Sequence, residues 1–136
     1  MSRSTLLRSV MGAALAALVA GTAGVAEAET KVGFIYVGPI GDHGWSYRHD
    51  QGRLAIEKAL GSKVKTTYVE SVKEGPDAER VIRQLAASGH DLIFTTSFGF
   101  MNPTLKVAKK FPKIRFEHAT GYKQSKHLST YSGRFY

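Results

Sequence analysis

Three short segments of this chain combine glycine, aromatic and small polar residues as small-molecule sites do. Residues 38–46 hold Gly41, Asp42 and Trp45. Residues 97–102 hold Ser97, Phe98, Gly99, Phe100 and Asn102, and residues 120–123 hold Tyr122. Glycines let backbone approach a ligand, and aromatic rings give it flat walls. A carboxylate, a hydroxyl and an amide can hydrogen-bond the edge of a planar molecule. The predicted ligand-binding set is therefore Gly41, Asp42, Trp45, Ser97, Phe98, Gly99, Asn102 and Tyr122. Purely structural roles also fit several of them. Phe98 and Phe100 can cap a core, Trp45 can staple a helix start, and Asp42 can cap the same helix.

Covalent and metal chemistry find less support. His43 and His49 are six residues apart, and His118 and His127 fall on other segments. No histidine pair has the i, i+4 spacing of a helical zinc site, and the chain has no cysteine. Ser97 lacks the G-x-S-x-G context of a nucleophile elbow. Gly38, Gly41 and Gly44 do not spell G-x-G-x-x-G, and no Walker phosphate loop is present. A phosphoacceptor domain would need an acidic pair where Gly38-Pro39 stands. The expectation is binding without catalysis, and without a metal or cofactor. A small secreted hydrolase using Ser97 or a His–Asp pair is the rival from another class. A flavin-binding flavodoxin-like domain is a further alternative.

The elements that would position these segments alternate. Residues 31–37 form an almost unbroken apolar run, as in a strand buried on both faces. A helix is predicted from about 46 to 60, ended by Gly61, and a β-branched strand over 64–70. Ala78, Val81, Ile82, Leu85 and Ala86 recur at helical spacing behind Pro76, which suits a first turn. A third strand is expected over 91–96 and a third helix from 102 to 110. A fourth strand is expected over 114–118, and 129–136 reads as a fifth. This is an α/β pattern of βαβ units with a parallel sheet. With strand order 2-1-3-4-5, as in flavodoxin-like folds, the order reverses between strands one and three. The glycine-rich segments would lie there, beyond the strand ends.

The N-terminus carries a separate signal. Arg3 and Arg8 precede an apolar run from about Val10 to Ala23, and Ala26-Glu27-Ala28 follows. That is the layout of an export signal, with cleavage expected after Ala28 and a mature segment from Glu29 to Tyr136. The run is shorter than the roughly 20 residues of a membrane span. Without cysteine there is no site for a lipid at the cleavage point, so no stable membrane anchor is expected. The net charge of +8 favours anionic partners without identifying one. Lys106, Lys109, Lys110 and Lys113 read as the solvated side of the third helix, opposite Met101, Leu105 and Ala108, rather than as a nucleic-acid patch.

Longer runs resemble a known family. They are Val32-Gly33-Phe34-Ile35-Tyr36-Val37-Gly38-Pro39; Gly41-Asp42-x-Gly44-Trp45-Ser46-Tyr47-x-His49-Asp50-Gln51-Gly52; Glu74-Gly75-x-Asp77-Ala78-Glu79-Arg80; Phe94-Thr95-Thr96-Ser97-Phe98-Gly99-Phe100-Met101; and Phe116-Glu117-His118-Ala119-Thr120-Gly121-Tyr122. Together they look like the BMP (basic membrane protein) family of substrate-binding components of ABC importers, over residues 31–136. The resemblance implies a type I periplasmic-binding-protein fold, in which two α/β lobes close on a purine base or nucleoside. It implies ABC importer membrane subunits as partners and a periplasmic location. Asp42 and Trp45 would fall in a first ligand loop, and Ser97, Phe98 and Gly99 in a second. A sugar or signal-molecule receptor of the same fold is the alternative. Family members are considerably longer, so residues 29–136 are expected to be an N-terminal lobe whose second lobe is missing.

Overall fold

A computed structural model describes residues 28–133, which places the predicted signal segment up to Glu27 and the last three residues of the predicted fifth strand outside the described region. The first strand, β1 (Thr30–Ile35), lies inside a five-stranded sheet of order β2-β1-β3-β4-β5 in which every pairing is parallel. The other strands are β2 (Val64–Val69), β3 (Leu92–Thr95), β4 (Arg115–Ala119) and β5 (Leu128–Tyr131). Three helices connect them: α1 (Trp45–Leu60), α2 (Pro76–Ala87) and α3 (Met101–Ala108). The β1–β2 connection runs one way along the sheet and the later ones run the other way. Right-handed crossovers then put α1 on one face and α2 with α3 on the opposite face.

The two faces are built differently. Ile35, Ile93, Phe116 and Leu128 meet Val81, Ile82 and Ala86 of α2 and Val107 and Ala108 of α3 in the main core. On the α1 face Val32, Phe34 and Tyr36 form a smaller cluster, edged by Ile56, Leu92 and Phe94. Phe34 stacks on Phe94 with centroids 4.8 Å apart. The buried residues of α1 are polar: Ser46, Asp50 and Arg53. Asp50 Oδ1 accepts bonds from Arg53 Nε (2.6 Å) and Tyr36 OH (3.2 Å). Arg53 also reaches Thr66 Oγ1 (2.9 Å) and Glu57, and its guanidinium lies 4.8 Å from the centre of the Tyr68 ring. A buried charge is tolerable only when paired in this way. Burial first, then the Asp50 carboxylate, push the Tyr36 phenol above its usual range.

The expected elements are present with small shifts. Helix α3 stops at Ala108 and not at Lys110, because a turn at Lys109-Lys110 leads into Phe111-Pro112. Lys109, Lys110 and Lys113 are therefore not a helical stripe, while Lys106 pairs with Glu79 at 2.8 Å. The fifth strand begins at Leu128, whose side chain is buried in the core.

Candidate functional site

At the carboxyl edge of the sheet the loops after β1, β2, β3 and β4 converge. All three non-glycine residues with positive φ among the described residues lie in these loops: His43 (57°), Ser71 (56°) and Thr120 (70°). Such conformations are costly and tend to mark functional positions.

Trp45 is the first residue of α1. Its indole N–H donates to the Thr96 carbonyl at 2.5 Å, tying the first loop to the third. The ring is 37% exposed and meets His49, one turn on, edge to face at 4.7 Å. Phe98 and Tyr122, from the third and fourth loops, are 56% and 71% exposed, and their ring centroids are 6.4 Å apart. Asn102 Oδ1 accepts a bond from Lys123 Nζ at 2.9 Å, joining the same two loops. The structure therefore brings Phe98, Asn102 and Tyr122 together as a rim, and Trp45 joins their loops through the Thr96 carbonyl. Phe100 turns inward and is fully buried, so of the two phenylalanines only Phe100 belongs to the core.

His118 fastens the rim from the interior. Its ring is fully buried, and Nε2 lies 2.6 Å from the Ser97 carbonyl. A carbonyl can only accept, so Nε2 carries the proton. Nδ1 has no hydrogen-bond partner, and a Cβ on Gly121 would overlap the same side of the ring. Burial lowers the His118 pKa, and the Ser97 bond opposes that only in part. The ring thus packs against Ser97 and Gly121, the chain neighbours of Phe98 and Tyr122.

The polar candidates are engaged inside the chain. The Ser97 hydroxyl donates to Glu74 Oε1 at 2.5 Å, and the Gly99 N–H donates to the same oxygen at 3.0 Å. Asp42 Oδ1 accepts the Gly44 N–H at 2.8 Å, and Gly44 is itself the N-cap of α1. Asp42 therefore braces the turn before the helix. Gly41 is exposed, and nothing lies within 4 Å of where a Cβ would stand.

Trp45 also walls a recess of about 590 Å³ on the α1 side, with His43, Arg48, His49, Thr120 and Tyr131. None of the other seven predicted residues lines it. Burial depresses the His49 pKa, and burial with the Glu117 charge pushes the Tyr131 phenol up to about 12. His49 follows Trp45 by four residues, a helical spacing legible in the sequence; Tyr131 and Glu74 join the site only through tertiary contacts. Among the described residues no group of three or more His, Cys, Asp or Glu could hold a metal ion, and no helix is long and apolar enough to cross a membrane.

Solved structures share this fold. An ABC transporter solute-binding protein from Conexibacter woesei superimposes with a TM-score of 0.70 at 21% identity, over 76% of this chain and 35% of that one. One from Aeropyrum pernix gives 0.63 at 22%, over 76% and 28%. Two curated relatives are nearer in sequence. A Brucella abortus protein named purine-binding protein is 58% identical over 124 residues, covering 91% of this chain and 35% of that protein. A Haloferax volcanii protein whose name gives it a glucose-binding role in an ABC transporter is 41% identical over 114 residues, 83% of this chain and 29% of that protein. The chain thus spans about a third of the length of the curated relatives it matches. The family model described as ABC transporter substrate-binding protein PnrA-like matches residues 29–136, and the chain belongs to that family, Bmp.

Proposed function

We propose that residues 29–136 form one lobe of the solute receptor of an ABC importer, binding a purine base or nucleoside and catalysing nothing. The 58% identity to a protein named purine-binding, over nine-tenths of this chain, carries the reading. The aromatic loops suit it: Trp45, Phe98 and Tyr122 give flat surfaces for a base, and Asn102 joins the loops of the last two. Asp42, Ser97, Gly41 and Gly99 shape the loops that present those rings. The second wall of the cleft comes from sequence that the longer relatives carry, and closure of two lobes on the ligand signals to the importer's membrane subunits. The protein acts in the periplasm after cleavage near Ala28. Calorimetry on the full-length protein with adenine, adenosine, guanosine and glucose tests the ligand. Saturable purine binding without glucose binding is expected; the reverse would reject the purine reading.

A sugar ligand is the second reading, favoured by the 41% identity to the glucose-named relative. Sugar sites also stack on aromatics but ring them with amides and charges, and the rim has few of these free. Turnover of a generic ester by the purified protein would instead point to a hydrolase.

A further inference from the structure

The segment that leaves β2 does not run straight into α2. It crosses the end of β1, where the Val72 N–H donates to the Tyr36 carbonyl (3.0 Å) and the Ser71 N–H to the Gly38 carbonyl (3.3 Å). It therefore lies where strand order reverses between β2-β1 and β3, the usual ligand crevice of an open parallel sheet. It delivers two carboxylates there. Glu70 Oε2 accepts the Ile40 N–H at 2.7 Å, and Glu74 Oε1 accepts the Ser97 hydroxyl and the Gly99 N–H. Asp42 takes the Gly44 N–H, and Ser46 Oγ takes the Gly38 N–H at 3.1 Å.

Amide and hydroxyl donors in glycine-rich turns at strand ends are the groups that elsewhere cradle phosphate. Here these donors are bonded to the chain's own side-chain oxygens, and three of those side chains are carboxylates. Gly99 is shaped to this arrangement, since a Cβ there would overlap the Glu74 carboxylate. A phosphate seeking the Ser97 and Gly99 donors would have to evict Glu74 and then lie beside it. Two like charges at such separation repel, and the lost charge-assisted bonds add to the penalty.

We propose that Glu74 is a specificity-determining residue: by filling the Ser97–Gly99 donor pair it makes the site accept uncharged ligands and reject phosphorylated ones. The proposal rests on the reading of this rim as the ligand site. Its test compares adenosine with AMP by calorimetry, on the full-length protein and on folded Glu74→Gln and Glu74→Ala variants. Wild type should prefer adenosine by about 100-fold or more, as two lost charge-assisted bonds require. Both variants should narrow that preference, Glu74→Ala by about 100-fold, since it removes both bonds. A preference unchanged in both folded variants overturns the proposal. Inorganic phosphate gives a second arm, read at the Gly99 amide by NMR. Glu74→Ala should show a saturable shift where wild type shows none. Equal responses in the two, or none in either, also overturn it. Phosphate carries no base, so this arm reads Glu74 even if adenosine and AMP both fail to bind, a result that would count against the purine reading alone.

Discussion

Replacing Gly121 by alanine should loosen the rim and the fold together. The added Cβ would fall on the His118 ring and within 3.3 Å of Met101 Sδ. Neither neighbour yields easily. The ring is fully buried and its Nε2–H is held by the Ser97 carbonyl at 2.6 Å; Met101 is buried at the start of α3. Gly121 has no positive φ, so the penalty is one of space and not of backbone conformation. Forcing a methyl into a packed interior costs about 1–3 kcal/mol. If the ring swings aside, the Ser97 hydrogen bond adds about 1 kcal/mol. About 2 kcal/mol is then expected, which lowers the melting temperature of a domain this size by about 10 °C. If the backbone moves instead, Tyr122 separates from Phe98 and ligand binding weakens as well. Thermal and urea denaturation followed by circular dichroism, beside calorimetry, read both effects. A double-mutant cycle isolates the contact: His118→Ala makes room for the methyl, so Gly121→Ala in that background should cost little more. Strict additivity of the two substitutions, or a Gly121→Ala protein within about 0.5 kcal/mol of wild type, a typical surface-substitution effect, would refute the steric argument.

Trp45→Ala in the full-length protein should weaken purine binding about tenfold, from lost stacking and a freed Thr96 carbonyl; unchanged affinity in a folded variant would remove Trp45 from the site. Asp50→Ala leaves the Arg53 charge and the Tyr36 hydroxyl facing a void and should cost about 3 kcal/mol, with much of it recovered in Asp50→Ala/Arg53→Met; a loss below about 1 kcal/mol on urea unfolding would contradict this. Burial lowers the pKa of both His49 and His118 from 6.5, so the unfolded chain takes up protons first on acidification. Stability should therefore be full above about pH 6.5 and fall as pH drops toward the folded-state values, more weakly in His118→Gln; a urea midpoint that rises between about pH 7.5 and 5.5 would be the wrong sign. If the export proposal holds, N-terminal sequencing of the protein from the producing cells should begin at Glu29, and a retained Met1 would end it.

The alternation of elements was legible because local signals set it. The apolar run at β1 and the helical spacing through α2 each report a period that one stretch of chain carries alone. Strand order had no local signal: 2-1-3-4-5 came by analogy with flavodoxin-like folds, and the parallel pairings of the sheet have that order. Helix α1 was harder to read, for its buried face is Ser46, Asp50 and Arg53, and its leucines Leu54 and Leu60 point to solvent. A polar face is buried only when distant groups satisfy it, here Tyr36 just after β1 and Thr66 and Tyr68 of β2. The rim shows the same limit. Residue type marked Trp45, Phe98 and Tyr122 as ring surfaces, but not that Phe100, two residues from Phe98, is sealed in the core. Likewise Ser97 and Gly99 read as groups for a ligand until the β2–α2 segment, folded across β1, set Glu74 against them. Periodicity and turn chemistry act over a few residues, so the sequence by itself determined the elements and their alternation. Which donors stay open depends on partners some twenty or more positions away, and only the tertiary structure decides that.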